Sequence, residues 1–94
     1  MTDFQMVVVR WMDAQAIHPS FSWTEVSDLE VEPRIIVSIG FAIPDLDPGH
    51  IVLAQSCDVS NDTVDHVIGI PMNMVLSIEK VLTTQLLPVE KPSL

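Results

Sequence analysis

The chain has little of two things that decide where a protein works: one cysteine, Cys57, and four basic residues, Arg10, Arg34, Lys80 and Lys91. A single cysteine cannot close an intrachain disulfide, which excludes a secreted disulfide scaffold and fits a cytosolic setting. Four basic residues against thirteen acidic ones leave a net charge of −9. That balance repels phosphate backbones and removes the basic footprint that sequence-independent binding to a nucleic acid polymer requires. It argues equally against an anionic membrane surface. A local phosphate site built from one arginine and backbone N–H groups stays open, because net charge governs steering more than the chemistry of a shaped pocket. Long apolar runs are missing as well. No stretch approaches the ~20 residues of a membrane-spanning helix, and residues 1–5 lack the basic region and apolar run of a signal peptide. A soluble protein with no membrane partner is expected.

What the chain does have is oil. Apolar residues make up 48% of its 94 positions, yet a domain this small buries only about two thirds of the surface its unfolded chain exposes. The core will be thin, and the apolar excess is expected at contacts between identical subunits, so a homo-oligomer is anticipated.

The apolar residues fall at a period of two. In residues 6–12, Val7, Val9 and Trp11 share one face of a strand and Val8, Arg10 and Met12 the other. Arg34–Ile43 alternates most cleanly, with Ile35, Val37, Ile39, Phe41 and Ile43 on one face, mostly small residues opposite, and Gly40 marking a bulge or bend. Between these strands lies a long connection with acidic positions Glu25, Asp28, Glu30 and Glu32. Ser22 and Glu25 are spaced as a capping box for a short helical turn, and Phe21, Trp23, Val26 and Leu29 are expected to pack down. Pro48 and Gly49 supply turn chemistry, with Gly49 free to take positive φ. Residues 51–56 then return, a polar loop covers 58–62, and residues 64–70 form the fourth strand. Pro71 has no N–H to give a ladder, so it ends that strand and turns a one-turn corner into residues 75–82, where Leu76 and Ile78 should face inward. The expected architecture is all-β: a small five-stranded barrel of the Src-homology-3-like or Sm-like kind, one domain over residues 1–82. Residues 83–94 lack periodicity and read as a flexible C-terminal tail.

Gly69-Ile70-Pro71-Met72-Asn73-Met74-Val75 resembles the closing segment of Src-homology-3 domains, where a proline, a small residue, an asparagine, a tyrosine and a valine follow in order. Met74 stands where the groove tyrosine would be and the chain has no tyrosine, so the resemblance implies the fold rather than recognition of proline-rich peptides. Across residues 6–82 the chain also resembles small uncharacterised proteins encoded by tailed bacteriophages. The elements that carry this are Val9-Arg10-Trp11-Met12-Asp13-Ala14, Trp23, Val37-Ser38-Ile39-Gly40-Phe41, Ile51-Val52-Leu53-Ala54, and Ile70-Pro71 with Met74-Val75 and Ile78. The resemblance implies a phage accessory protein acting in the bacterial cytoplasm against a host component.

Four residues form the candidate ligand site. Trp11, Asp13 and Trp23 are placed to rim a pocket in which an aromatic face stacks on a base or a side chain, with Arg10 meeting an anion. The structural alternative makes Trp11 core, Asp13 a turn cap and Arg10 the partner of an acidic residue. His18, His50, His66 and Cys57 have no metal-ligand spacing, so no metal or cofactor is expected. Asp65-His66 beside a serine is the only sketch of a catalytic arrangement, and neighbours on a strand point to opposite faces, so Asp65 should not orient His66. A non-enzymatic binding protein is therefore expected, and the phage resemblance together with the apolar excess implies a counter-defence role in sequestering a small immune signal such as a cyclic nucleotide. The alternatives are an acidic module that inhibits a host protein, with residues 25–32 as its contact, and a minor virion or assembly protein.

Overall fold

The computed structural model describes residues 4–13, 23–29 and 34–92. Five strands fall within one or two residues of the alternating stretches: β1 (Gln5–Asp13), β2 (Arg34–Ile43), β3 (His50–Asp58), β4 (Thr63–Pro71) and β5 (Val75–Lys80). Single 3-10 turns lie at Val26–Asp28, Met72–Met74 and Thr83–Gln85. Among the described residues every strand pairing is antiparallel, in one open sheet ordered β4-β3-β2-β1-β5. Among the described residues no helix is long and apolar enough to cross a membrane.

β1 is the hub of the sheet. It pairs with β2 along its whole length, from Gln5↔Ala42 to Asp13↔Arg34, and with β5 from Val7↔Lys80 to Trp11↔Val75. β2 meets β3 only where Phe41, Ala42 and Ile43 face Ala54, Leu53 and Val52. Among the described residues, 34–40 therefore pair with β1 alone, and the far end of β3 pairs with β4 alone. The sheet divides into two wings that share this junction.

Gly40 stands at the junction for a steric reason. A Cβ there would lie 2.9 Å from the Ala54 carbonyl oxygen and 3.3 Å from the Leu53 Cβ, so a side chain would collide with the backbone of β3. The register with β1 runs through Gly40 unbroken. The glycine thus permits a close approach and makes no bulge in that ladder; the register shift of the sheet lies between β1 and β5, at Arg10/Trp11.

The core collects on the inner side of β1. Val7 and Val9 cluster with Leu53 and Ile70, and Trp11, Ala42, Ile51 and Val75 pack against them. Ile70, next to the end of edge strand β4, belongs to the same buried cluster as Val7 and Val9 of β1, three places away in the strand order. The sheet must curl for that to happen, and the curl is what lets one turn at Met72–Met74 carry the chain from one edge to the other. Pro71 closes β4, and the Met72 N–H donates to the Gly49 carbonyl at 2.9 Å. At the other end of β1, the Val81 N–H donates to the Met6 carbonyl at 2.9 Å and the Gln5 side-chain amide donates to the Val81 carbonyl at 3.1 Å.

Several expectations about facing are corrected. Ile78 does lie on the inner side, opposite buried Val9, yet Leu76 and Ile78 are 54% and 44% exposed, because β5 is an edge strand that among the described residues has β1 alone beside it. In the connection, Trp23, Val26 and Leu29 are exposed rather than packed down. The helical turn sits at Val26–Asp28, with Glu25 in the N-cap position and making no side-chain cap hydrogen bond; Ser22 and Phe21 lie outside the described residues. In the β2–β3 turn, positive φ falls on Asp45 (56°) and on no glycine. Asparagine and aspartate tolerate that region because their short side chains hydrogen-bond locally.

Candidate functional site

The four residues of the expected ligand site are divided by the pleat. Trp11 and Asp13 share the inner side of β1, whereas Arg10 projects from the outer side. Trp11 packs against the core cluster, and its indole N–H donates to the Ser38 hydroxyl at 3.0 Å. Asp13 ends β1 opposite Arg34. Arg10 donates to the Glu79 carboxylate across to β5, and both side chains remain partly exposed. Trp23 stands fully in solvent. The structure brings Trp11 and Asp13 to one side of one strand and gives Arg10 and Trp23 different surroundings.

The surroundings of Arg10 are unusual. Directly opposed residues of an antiparallel pair share a face. The register therefore sets Val8, Arg10 and Met12 beside Ile39, Val37 and Ile35 of β2, and beside Glu79 and Ser77 of β5. Ile35, Val37 and Ile39 are 58%, 53% and 64% exposed. The Arg10–Glu79 pair is thus embedded in uncovered β-branched side chains. Sequence reasoning missed Glu79, which lies 69 positions from Arg10; only the strand order brings the two together.

A second polar group occupies the β3–β4 hairpin. Asp58 accepts from the Asn61 side-chain amide at 2.8 Å and from the Ser60 and Asn61 backbone N–H groups at 3.1 and 3.3 Å. Those donors favour the ionised carboxylate, so its pKa is lowered, the Asn61 side chain first among the causes. Further along, His66 adopts a φ of 51°. That left-handed kink turns its ring toward its neighbour, placing Nδ1 3.1 Å from the Asp65 carboxylate, while the His66 backbone N–H donates to the same carboxylate at 2.8 Å. The expectation that strand geometry keeps Asp65 from orienting His66 is therefore corrected: the rule holds for extended backbone, and His66 is not extended. The pair is open to solvent. Beside it, Ser56, Cys57, Asp58, Thr63, Val64 and Asp65 line a shallow depression of about 190 Å³.

In the β2–β3 turn, Asp47 accepts from the Gly49 N–H at 2.7 Å and lies 3.5 Å from His50 Nδ1. Its pKa is lowered, by the Gly49 hydrogen bond chiefly and by His50 after it. Among the described residues no group of three or more His, Cys, Asp and Glu is placed to hold a metal ion.

Of these clusters, the one at Arg10 has the clearest chemical capacity. A surface guanidinium–carboxylate pair is worth only about 0–1 kcal/mol, so the guanidinium can exchange Glu79 for another anion at little cost. The apolar residues around it offer a surface for a flat or aliphatic group. No family model, no curated protein and no solved structure matches the chain.

Proposed function

We propose that the chain is a non-enzymatic, phage-encoded binding protein that acts as a homo-oligomer in the cytoplasm of the infected bacterium. It sequesters a small host immune signal, such as a cyclic nucleotide, where copies of the chain meet. On this reading the curled sheet is a small barrel of the Src-homology-3-like or Sm-like kind, its two edges drawn together by the Pro71 corner. The observation that carries the proposal is an exchangeable guanidinium, Arg10, set in an uncovered apolar face. Such a face is a binding surface for something, and the combination of a cation with an apolar floor suits an anion that carries a flat base. Isothermal titration against a panel of cyclic nucleotides tests it. Binding that weakens in Arg10→Ala supports the assignment, and no heat from any member at micromolar protein retires it.

A second reading has its own support. Asp45 and Asp47 are exposed at one end of β3, and Asp58, Asp62 and Asp65 at the other. Together with Glu25 and Asp28 they favour an acidic module that blocks a basic host protein; Glu30 and Glu32 lie outside the described residues. Capture of one host protein from bacterial lysate, released by added salt, supports that reading, and capture that salt leaves unchanged opposes it.

A further inference from the structure

We propose that the outer face of β1 and β2 is the contact through which two copies of this chain dock, face to face, about a two-fold axis. The inference rests on the homo-oligomer reading and deepens it by naming the surface: between ligand-free copies Arg10 pairs with Glu79, and an anion held where the copies meet takes the place of that carboxylate.

Three observations favour a second copy as the occupant. The first is area. Ile35, Val37 and Ile39, each more than half exposed, together with Met12, leave an apolar patch on the order of 400 Å², a size that marks an interaction site. Doubling that patch and adding Arg10, Glu79 and the partly buried Val8 brings the covered surface to roughly 1,200 Å², the threshold of a specific interface. A foreign partner is not needed to supply the remainder.

The second observation is charge. The chain carries −9 in total, so two copies repel through most of their surface. On this face the register gathers one cation and one anion, Arg10 and Glu79, among apolar and hydroxyl side chains. Among the described residues it is locally neutral, and it is self-complementary. Under a two-fold axis the Arg10 of each copy can face the Glu79 of the other, which an isologous interface requires. The Arg10–Glu79 pair within one chain is exposed and weak, so re-pairing between chains costs little.

The third is shape. Among the described residues, 34–40 of β2 have β1 alone beside them, and the outward side chains of Ile35, Val37 and Ile39 are uncovered. Two such sheet faces pack about 10 Å apart with their facing residues interleaved.

Sedimentation velocity over a range of concentrations provides the test, on the wild-type chain and on Ile39→Lys. Ile39 is largely exposed, so the substitution leaves the fold in place, and circular dichroism checks that it does. The expected result is a wild-type dimer and at least a tenfold weaker association for Ile39→Lys. A second test uses charge reversal: Arg10→Glu and Glu79→Arg each stay monomeric alone, and an equimolar mixture forms heterodimers, because each introduced charge then faces its opposite in the other chain. A wild-type chain that stays monomeric at high concentration overturns both this inference and the homo-oligomer reading. An oligomer that persists unchanged in Ile39→Lys, or charge variants whose mixture associates no better than either alone, overturns the assignment of this face and leaves the homo-oligomer reading standing.

Discussion

β1 and β2 lie side by side over nine residue pairs, and both alternate, but they use their faces in opposite ways. In β1 the β-branched side, Val7 and Val9, is buried to within 3%. In β2 the β-branched side, Ile35, Val37 and Ile39, is the one left open, and the side bearing Ser38 and Gly40 turns inward. Because paired residues share a face, the two strands could not both have buried their more apolar sides in this register. The small side of β2 goes inward because Gly40 must let the Ala54 backbone pass and Ser38 must receive the Trp11 indole N–H. Space, and not hydrophobicity, settles which side of β2 is the inside.

The contrast can be broken most sharply at its core. Leu53→Ala empties a site shared by both wings and is expected to cost about 3 kcal/mol, read as a drop in the urea midpoint. Gly40→Ala places a methyl group against a backbone carbonyl that cannot swing away. A loss of about 2 kcal/mol is expected, where an ordinary strand glycine would gain a little from alanine, and thermal unfolding distinguishes the two signs. Trp11→Phe keeps most of the apolar contact and removes the donor to Ser38, for a loss of about 1 kcal/mol in denaturant unfolding.

On the open side the effects should be small. Ile39→Thr is expected to change stability by no more than about 0.5 kcal/mol in dilute solution, where copies are apart. A loss comparable to Leu53→Ala would mean that the outer face of β2 is buried after all. The smallest effect concerns acid. Asp47 and Asp58 have lowered pKa values in the folded chain. Their hydrogen bonds therefore contribute stability above the unfolded carboxylate pKa, and that contribution is lost as pH falls through the lowered folded values, below about pH 4. Protection of the Gly49, Ser60 and Asn61 amides relative to their intrinsic exchange rates should fall there, ahead of any loss at Val9 in the core.

Much of the fold was legible before the structure. Alternation placed every strand, and Pro71 placed the corner, because both are local properties of backbone and side chain. The candidate site was less legible. Arg10 was singled out, but its partner Glu79 and its apolar setting depend on β5 lying against β1 and on which side of β2 is out. The kink at His66 had no local signal: nothing in Asp65-His66-Val67 announces a positive φ in a strand. Trp23 was grouped with Trp11 because the strand bearing Trp11 runs into the connection that carries Trp23, yet Trp23 stands in solvent.

The order of residues by itself determined that this chain forms β-strands, where they lie to within one or two residues, and that its apolar content outruns its interior. Those follow from side-chain period, proline's missing N–H and the surface-to-volume ratio of a small chain. Only the tertiary structure decided which faces are inside, that Arg10 meets Glu79 on an uncovered surface, and that Gly40 marks a backbone crossing. The reason is that a period of two defines a pair of faces without ranking them; the ranking comes from what the curled sheet has room to accept.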